Sequence, residues 1–217
     1  MCDRTRRTKR AQCPSLKCKE KTLSEPRTLI ALLDSESTGL DPRRDEPIAV
    51  ALQLWAIHPR RGTACELVDR YDGLRQPQCI YPTVVQHITR LPASALVGTT
   101  FDLTRIARLL SSACLVVAHN ASFERELLGR HIPALPPMPW SCAMRDIDWR
   151  RDAGAPSSSL DALCRHFHVT PSTGSPADDC STLATLLSMT LPVRGGTGFQ
   201  RLLMGRNPRH SFTHHTS

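Results

Sequence analysis

The sequence predicts an α/β fold, a mixed central sheet with its first strand in the middle and helices on both faces. Three observations point there. The apolar run Leu29-Ile30-Ala31-Leu32-Leu33 is the right length for a buried central strand and far too short to span a membrane. Two further strand-like stretches, 48–55 and 65–71, follow at hairpin spacing. Helical periodicity then dominates, interrupted by one more apolar strand at 114–118. Strands in hairpin order followed by helix, strand and helix require both antiparallel and parallel pairing in one sheet.

The elements read in order as follows. Residues 1–27 form a basic arm with no apolar pattern. The first strand covers 28–34, and 41–47 is a polar turn. In the second strand Gln53 is the polar exception. Residues 59–63 make a basic turn, and 72–100 are loop with short helical pieces. From Phe101 to Ser112, residues Leu103, Ile106, Leu109 and Leu110 recur at helical spacing, with Arg105 and Arg108 opposite. The strand at 114–118 ends at His119-Asn120. A helix over 121–131 turns Phe123, Leu127 and Leu128 inward, and the prolines of 133–139 break it. Ser157-Ser158-Ser159 cap a helix carrying Leu160, Leu163 and Phe167. Turn residues fill 170–176, and a last helix at 178–189 carries Leu183, Leu186 and Leu187. Beyond Pro192 the Gly, Arg, His and Thr content predicts no packed structure. The expected organisation is therefore one domain at 28–190 between disordered basic segments at 1–27 and 191–217.

Charge is unevenly distributed. The net is +8 over 217 residues, yet 1–27 hold nine Lys/Arg against three acids, and 188–217 hold four Arg and no acid. A slightly acidic body with basic arms suits a protein that meets a polyanion; solvated, functionless arms are the plainer explanation. The nine cysteines are odd in number, scattered, and include no C-x-x-C pair. They read as reduced thiols of a cytoplasmic protein rather than a disulfide framework or a zinc site. The basic N-terminus lacks the apolar core of a secretory signal.

The strongest chemical signal closes the first strand. Asp34 and Glu36 are two residues apart on a strand and so share a face. Two carboxylates there repel each other and call for a cation between them, a hard divalent metal being the obvious candidate. Read alone, D-x-E is an ordinary polar strand end. Further acids, however, stand at two other element boundaries, Glu124 one turn into the 121–131 helix and Asp178-Asp179 at the start of the last. Each has its own plain reading: Glu124 as a surface ion-pair partner, Asp178 as a charge favoured by a helix N-terminus.

With their flanks, these segments resemble the DEDD superfamily of 3′–5′ exonucleases over roughly residues 28–190. Asp34-Ser35-Glu36-Ser37-Thr38-Gly39-Leu40 is similar to the family's D-x-E-T-T-G-L. His119-Asn120-Ala121-Ser122-Phe123-Glu124 is similar to its H-N-x-x-F-D, with Glu for Asp. Ala177-Asp178-Asp179-Cys180 is similar to its third motif, with Asp179 as the metal acid. Gln86-His87-Ile88-Thr89 and Ser158-Ser159-Leu160-Asp161 resemble intervening segments. The order of five such segments carries the resemblance. It implies an RNase H-like fold and two divalent ions, Mg²⁺ or Mn²⁺, held by Asp34, Glu36, Glu124 and Asp179. It further implies contacts to a terminal nucleotide from Thr38, Gly39, Leu40, His87, Asn120 and Phe123. The expected partner is a single-stranded 3′ end, DNA before RNA, with a DNA polymerase as a second partner.

The departures bear on activity. The family's general-base His falls five residues before the third-motif Asp, where this chain has Gly174. The Tyr of the other subtype falls where Ser175 stands. His166 and His168 lie nearby as substitutes, and Ala49 replaces a usual acid. Loss of a general base lowers a rate by about 10²–10⁴, whereas loss of the metal acids removes the site. Two readings follow. One is a slow metal-dependent 3′–5′ exonuclease acting in proofreading, repair or end trimming. The other is a degenerate module that binds single-stranded ends or a polymerase without turnover. Which residues would sense a 2′-hydroxyl is not legible in the sequence, so an RNA substrate stays open.

Overall fold

The computed structural model describes residues 27–58, 60–132 and 135–205. Five strands form one sheet in the order β3-β2-β1-β4-β5. Strand β1 (Thr28–Ser37) pairs antiparallel with β2 (Pro47–Ile57), which pairs antiparallel with β3 (Ala64–Leu74). On its other side β1 pairs parallel with β4 (Leu115–Ala118), and β4 pairs parallel with β5 (Trp140–Cys142). The C-terminal ends of β1, β4 and β5 therefore lie along one edge of the sheet. In open α/β sheets that edge is where ligands bind.

Period-two alternation on β1 sorts its side chains between two cores. Ile30 and Leu32 face a layer built on Leu183, Ala184, Leu186 and Leu187 of helix α8 (Pro176–Ser188). Ala31 and Leu33 face a layer holding Ile106, Leu109 and Leu110 of α3 (Leu103–Ser112) and Leu128 of α4 (Ala121–His131). Ala51 on β2 is small enough to let α8 lie close. Gln53 then explains itself: its amide donates to the Ala177 carbonyl (2.8 Å) and to Ser181 Oγ (2.9 Å), pinning the start of α8 to β2. A buried amide bonded on this scale is satisfied rather than costly.

Between β3 and α3 lie two short helices, α1 (Thr83–Thr89) and α2 (Ala93–Leu96). After β5 come α5 (Ala143–Asp146), α6 (Trp149–Ala153) and α7 (Leu160–Phe167), then α8. Strand β5 and helices α5 and α6 carry no period long enough to have been expected from sequence.

Two expectations are corrected. The 178–189 helix is not the last, because α9 (Gly198–Met204) follows it. The segment after residue 190 is packed as far as residue 205, with Leu191 and Phe199 both fully buried. A capping box between Thr197 and Gln200 starts α9, which supplies the local stability that its composition concealed. The basic arm at 1–26 and the segment 206–217 lie outside the described residues. No helix among the described residues is long and apolar enough to cross a membrane.

Candidate active site

The four predicted acids come together at the end of β1 from three elements. Asp34 and Glu36 project from β1 on the α8 face, opposite Ala51 and Ala49 of β2. Asp179 arrives in the first turn of α8. Glu124, in the first turn of α4, is buried and comes from the other side of the sheet. There it accepts a hydrogen bond from the hydroxyl of Ser35, the residue between the two β1 acids.

Their electrostatics record the convergence. Burial holds the Asp34 carboxyl well above the usual carboxylate range, and the charges of Glu124, Asp179 and Glu36 push it further. Burial, then Asp179, raises Glu36 to about 7. Burial and Glu36 raise Glu124 to about 8, against the Ser35 hydrogen bond. Burial raises Asp179, helped by Asp161 and Asp178 and opposed by a hydrogen bond from Ser172. Among the described residues no Lys, Arg or His is among the groups that shift these four carboxyls. A cluster of like charges with no internal counter-charge is uncommon in a fold. Its donor set, carboxylate oxygens alone, suits a hard divalent ion. Among the described residues no three His, Cys, Asp or Glu side chains are already spaced around a single ion.

The other predicted residues divide. Thr38 is buried, and its hydrogen-bonding groups are used inside the protein. Its amide donates to the Glu46 carbonyl (2.9 Å), its hydroxyl donates to Asp45 (3.0 Å), and the Glu46 amide donates to that hydroxyl. Gly39 is required for a different reason from the one expected: a Cβ there would sit 2.5 Å from the Asp45 carboxylate, so the close approach it permits is internal. Leu40 is 93% exposed and free to meet a ligand. His87 is exposed, its Nδ1 paired with the Thr83 carbonyl of its own helix at 2.8 Å. Asn120 precedes α4 and its side chain accepts from Ser122 (3.0 Å), while Phe123 is half-buried on α4.

Sequence reasoning missed two residues that organise this end of the sheet. Glu46 is buried and holds the 75–79 segment: it accepts from Arg75 (2.7 Å), Gln78 N (3.1 Å) and Cys79 N (2.9 Å). Burial alone would raise its pKa, but these donors together leave it lowered. Tyr81 donates to the Leu91 carbonyl (3.0 Å) and pairs with Thr89 Oγ1 (2.6 Å). Burial mainly, with the charge of Glu36, raises its phenol, so it lies within electrostatic reach of that acid. A lone Glu in a polar turn and a lone Tyr before a proline offered no periodic signal.

Gly174, at the position of the expected base, adopts φ +85° in the loop before α8, and a Cβ there would meet nothing within 4 Å. Of the two substitute histidines, one has its ring engaged and the other closes a helix. His166 Nε2 pairs with the Ala153 carbonyl (3.0 Å) and its ring packs edge-on against Phe167. His168 ends α7 in the left-handed conformation.

No protein family matches the chain by sequence, and no curated protein does. Solved structures do match by fold. Exonuclease X in complex with 5′-overhanging duplex DNA superposes with a TM-score of 0.54 at 20% identity, over 76% of this chain and 97% of that one. Exonuclease I from Methylocaldum szegediense gives 0.55 at 19% identity, over 84% of this chain. Exonuclease I in complex with the inhibitor BCBP gives 0.61 at 13% identity. This chain spans 41% and 45% of those two exonuclease I chains. At such identities the likeness is one of fold: the chain has an RNase H-like α/β architecture, which it shares with these exonucleases.

Proposed function

We propose that the protein is a metal-dependent 3′–5′ exonuclease that removes nucleotides from DNA 3′ ends. The observation that carries the reading is the uncompensated convergence of Asp34, Glu36, Glu124 and Asp179 at the carboxyl edge of the sheet. A fold gains nothing from gathering four mutually repelling acids, one buried and three half-buried, and a site for divalent cations gains everything from it. Asp34, central to the cluster, would be shared between two ions, with Glu36 and Asp179 on one side and Glu124 on the other. Bound Mg²⁺ or Mn²⁺ would supply Lewis acidity at the phosphate and a more acidic water.

The chain's own residues do the rest. Ser35 fixes the orientation of Glu124, and Ser172 that of Asp179. Gln53 sets α8, and with it Asp179, against the sheet. Drawing the carboxylates onto ions would draw on side-chain rotation, for which the Glu36 and Glu124 chains have the torsions. DNA-bound fold relatives favour nucleic acid as the substrate class.

The second reading, an end-binding module without turnover, is favoured by Gly174, which offers no proton acceptor in the loop beside Asp179. One digest separates the two: a 3′-labelled single strand incubated with Mg²⁺, Mn²⁺ or EDTA. Release of mononucleotides that EDTA stops supports the exonuclease. Retention of the strand at full length in every ion, with measurable binding, supports the module.

A further inference from the structure

We infer that Arg90 binds a backbone phosphate of the nucleic-acid strand just outside the acid cluster. The inference rests on the exonuclease reading and adds to it a residue that no motif singles out.

Arg90 follows α1 at φ 57°, in the left-handed region. That position after a helix is the usual place for Gly, and a side chain there carries a conformational cost. Arginine offers the backbone nothing in exchange, so the benefit lies in the guanidinium. That group reaches across to the loop before α8 and donates from one terminal nitrogen to the Thr173 carbonyl at 2.9 Å. The two walls it joins line one cavity of about 250 Å³, with Thr89 and Leu91 on one side and Ser175, Pro176 and Ala177 on the other. Ala49 and Ala51 also line it, and they are the β2 partners of Glu36 and Asp34. The Arg90–Thr173 bond therefore joins the two segments that flank a cavity backed by the strand paired with the acids' own.

Its backbone is held as well. Thr89 and Leu91, on either side of it, both bond the Tyr81 hydroxyl, which lies in reach of Glu36. Yet Arg90 makes no ion pair with any described residue and is not among the groups that shift the four acids. Its charge is not spent on the cluster. An exposed, oriented guanidinium with donors to spare, beside a site for phosphodiesters, matches a phosphate, which it can grip by two parallel N–H bonds. Contact of this kind positions a strand and carries no base information.

The test is binding of a fluorescent single-stranded oligonucleotide to the full chain carrying Asp34→Ala, so that cleavage plays no part. Adding Arg90→Gln should weaken binding about tenfold and make the slope of log affinity against log salt shallower by about 0.7, the value of one single-strand phosphate contact. Arg90→Lys should keep the slope. Arg90→Gly, which relieves the left-handed strain, should bind as poorly as Arg90→Gln while its melting temperature equals or exceeds that of the parent. An unchanged slope and affinity in Arg90→Gln would overturn the inference. So would a marked fall in melting temperature in Arg90→Gly, since the side chain would then serve the fold. Cleavage kinetics in the chain that keeps Asp34 give a third check: Arg90→Gln should raise KM and leave kcat within about threefold. A fall in kcat with a higher Mn²⁺ requirement would instead assign Arg90 to holding the loop and overturn phosphate binding. If wild type fails to cleave at all, the exonuclease reading falls while the binding slopes still judge Arg90.

Discussion

The Ser35 hydroxyl donates to the Glu124 carboxylate, joining β1 to α4 across 89 positions of sequence. Because the bond favours the charged carboxylate, it restrains a pKa that burial and Glu36 still carry to about 8. Ser35→Ala should therefore raise Glu124 further. The alkaline rise in metal-dependent cleavage should move up by about one pH unit, since a bond to a charged group is worth roughly that. A pH–rate profile at sub-saturating Mn²⁺, where the ion competes with the proton for Glu124, reads the shift.

The same acids make stability depend on pH in an unusual direction. Glu36 and Glu124 sit at about 7 and about 8 in the fold, against an ordinary glutamate value of 4.5. Between those values the folded chain holds more protons than the unfolded chain, so stability falls as pH rises through the window. Melting temperature in EDTA should decline from pH 5 to pH 8. Mg²⁺ or Mn²⁺ should restore it, most strongly at pH 8, because ions that bind only the folded state add stability by mass action. Glu124→Gln should flatten the decline.

Asp34 lies at the centre of the repulsion, with all three other acids raising it. Asp34→Ala should abolish cleavage and leave the fold intact, with a melting temperature in EDTA no lower than wild type. Circular dichroism melts beside the labelled-strand digest check both halves. Full Mg²⁺-dependent activity in the variant would remove Asp34 from the assignment.

Glu46 serves the fold around the site. Removing it would leave Arg75 and the amides of Gln78 and Cys79 without their acceptor. Glu46→Ala should cost about 3 kcal/mol, in line with breaking a buried ion pair, and Glu46→Gln less. Denaturant unfolding measures both.

What the sequence disclosed follows from which signals are periodic or paired. An apolar run ending in D-x-E marks a central strand and its chemistry at once, and the structure puts β1 in the middle of the sheet. Gln53 stood out as a polar residue in a strand, but only the fold reveals Ala177 and Ser181 as its partners. Strand β5 is three residues long and has no alternation to detect. Helix α9 was concealed among Gly, Arg and Thr, since its stability comes from a capping box and from Phe199 and Leu202 entering the core. A chain ending at residue 190 should accordingly fold poorly, and Phe199→Ala should cost about 3–5 kcal/mol. The salt slope for DNA of a chain of residues 27–205, set against that of the full protein, reports what the basic arms add.

The last prediction concerns Gly174. Ser172, two residues before it, accepts from the Gly174 amide (3.0 Å) and bonds Asp179, so the loop lies against the cluster. Gly cannot take a proton, and His166 is occupied with the Ala153 carbonyl. Wild type should thus be slow, faster with Mn²⁺ than with Mg²⁺, and strongly pH-dependent. Gly174→His places an imidazole where a Cβ meets open space, so sterics do not oppose it. The backbone does: φ +85° suits glycine, and a side chain there costs about 1 kcal/mol or more. The gain in kcat should therefore fall below the 10²–10⁴ of an ideally placed base, on the order of tenfold. His166→Ala and His168→Ala should leave kcat nearly unchanged. Single-turnover rates for the four proteins decide the matter: loss of activity in either His variant, with no gain in Gly174→His, would show that a base is already present and that Gly174 is not the cause of slow turnover.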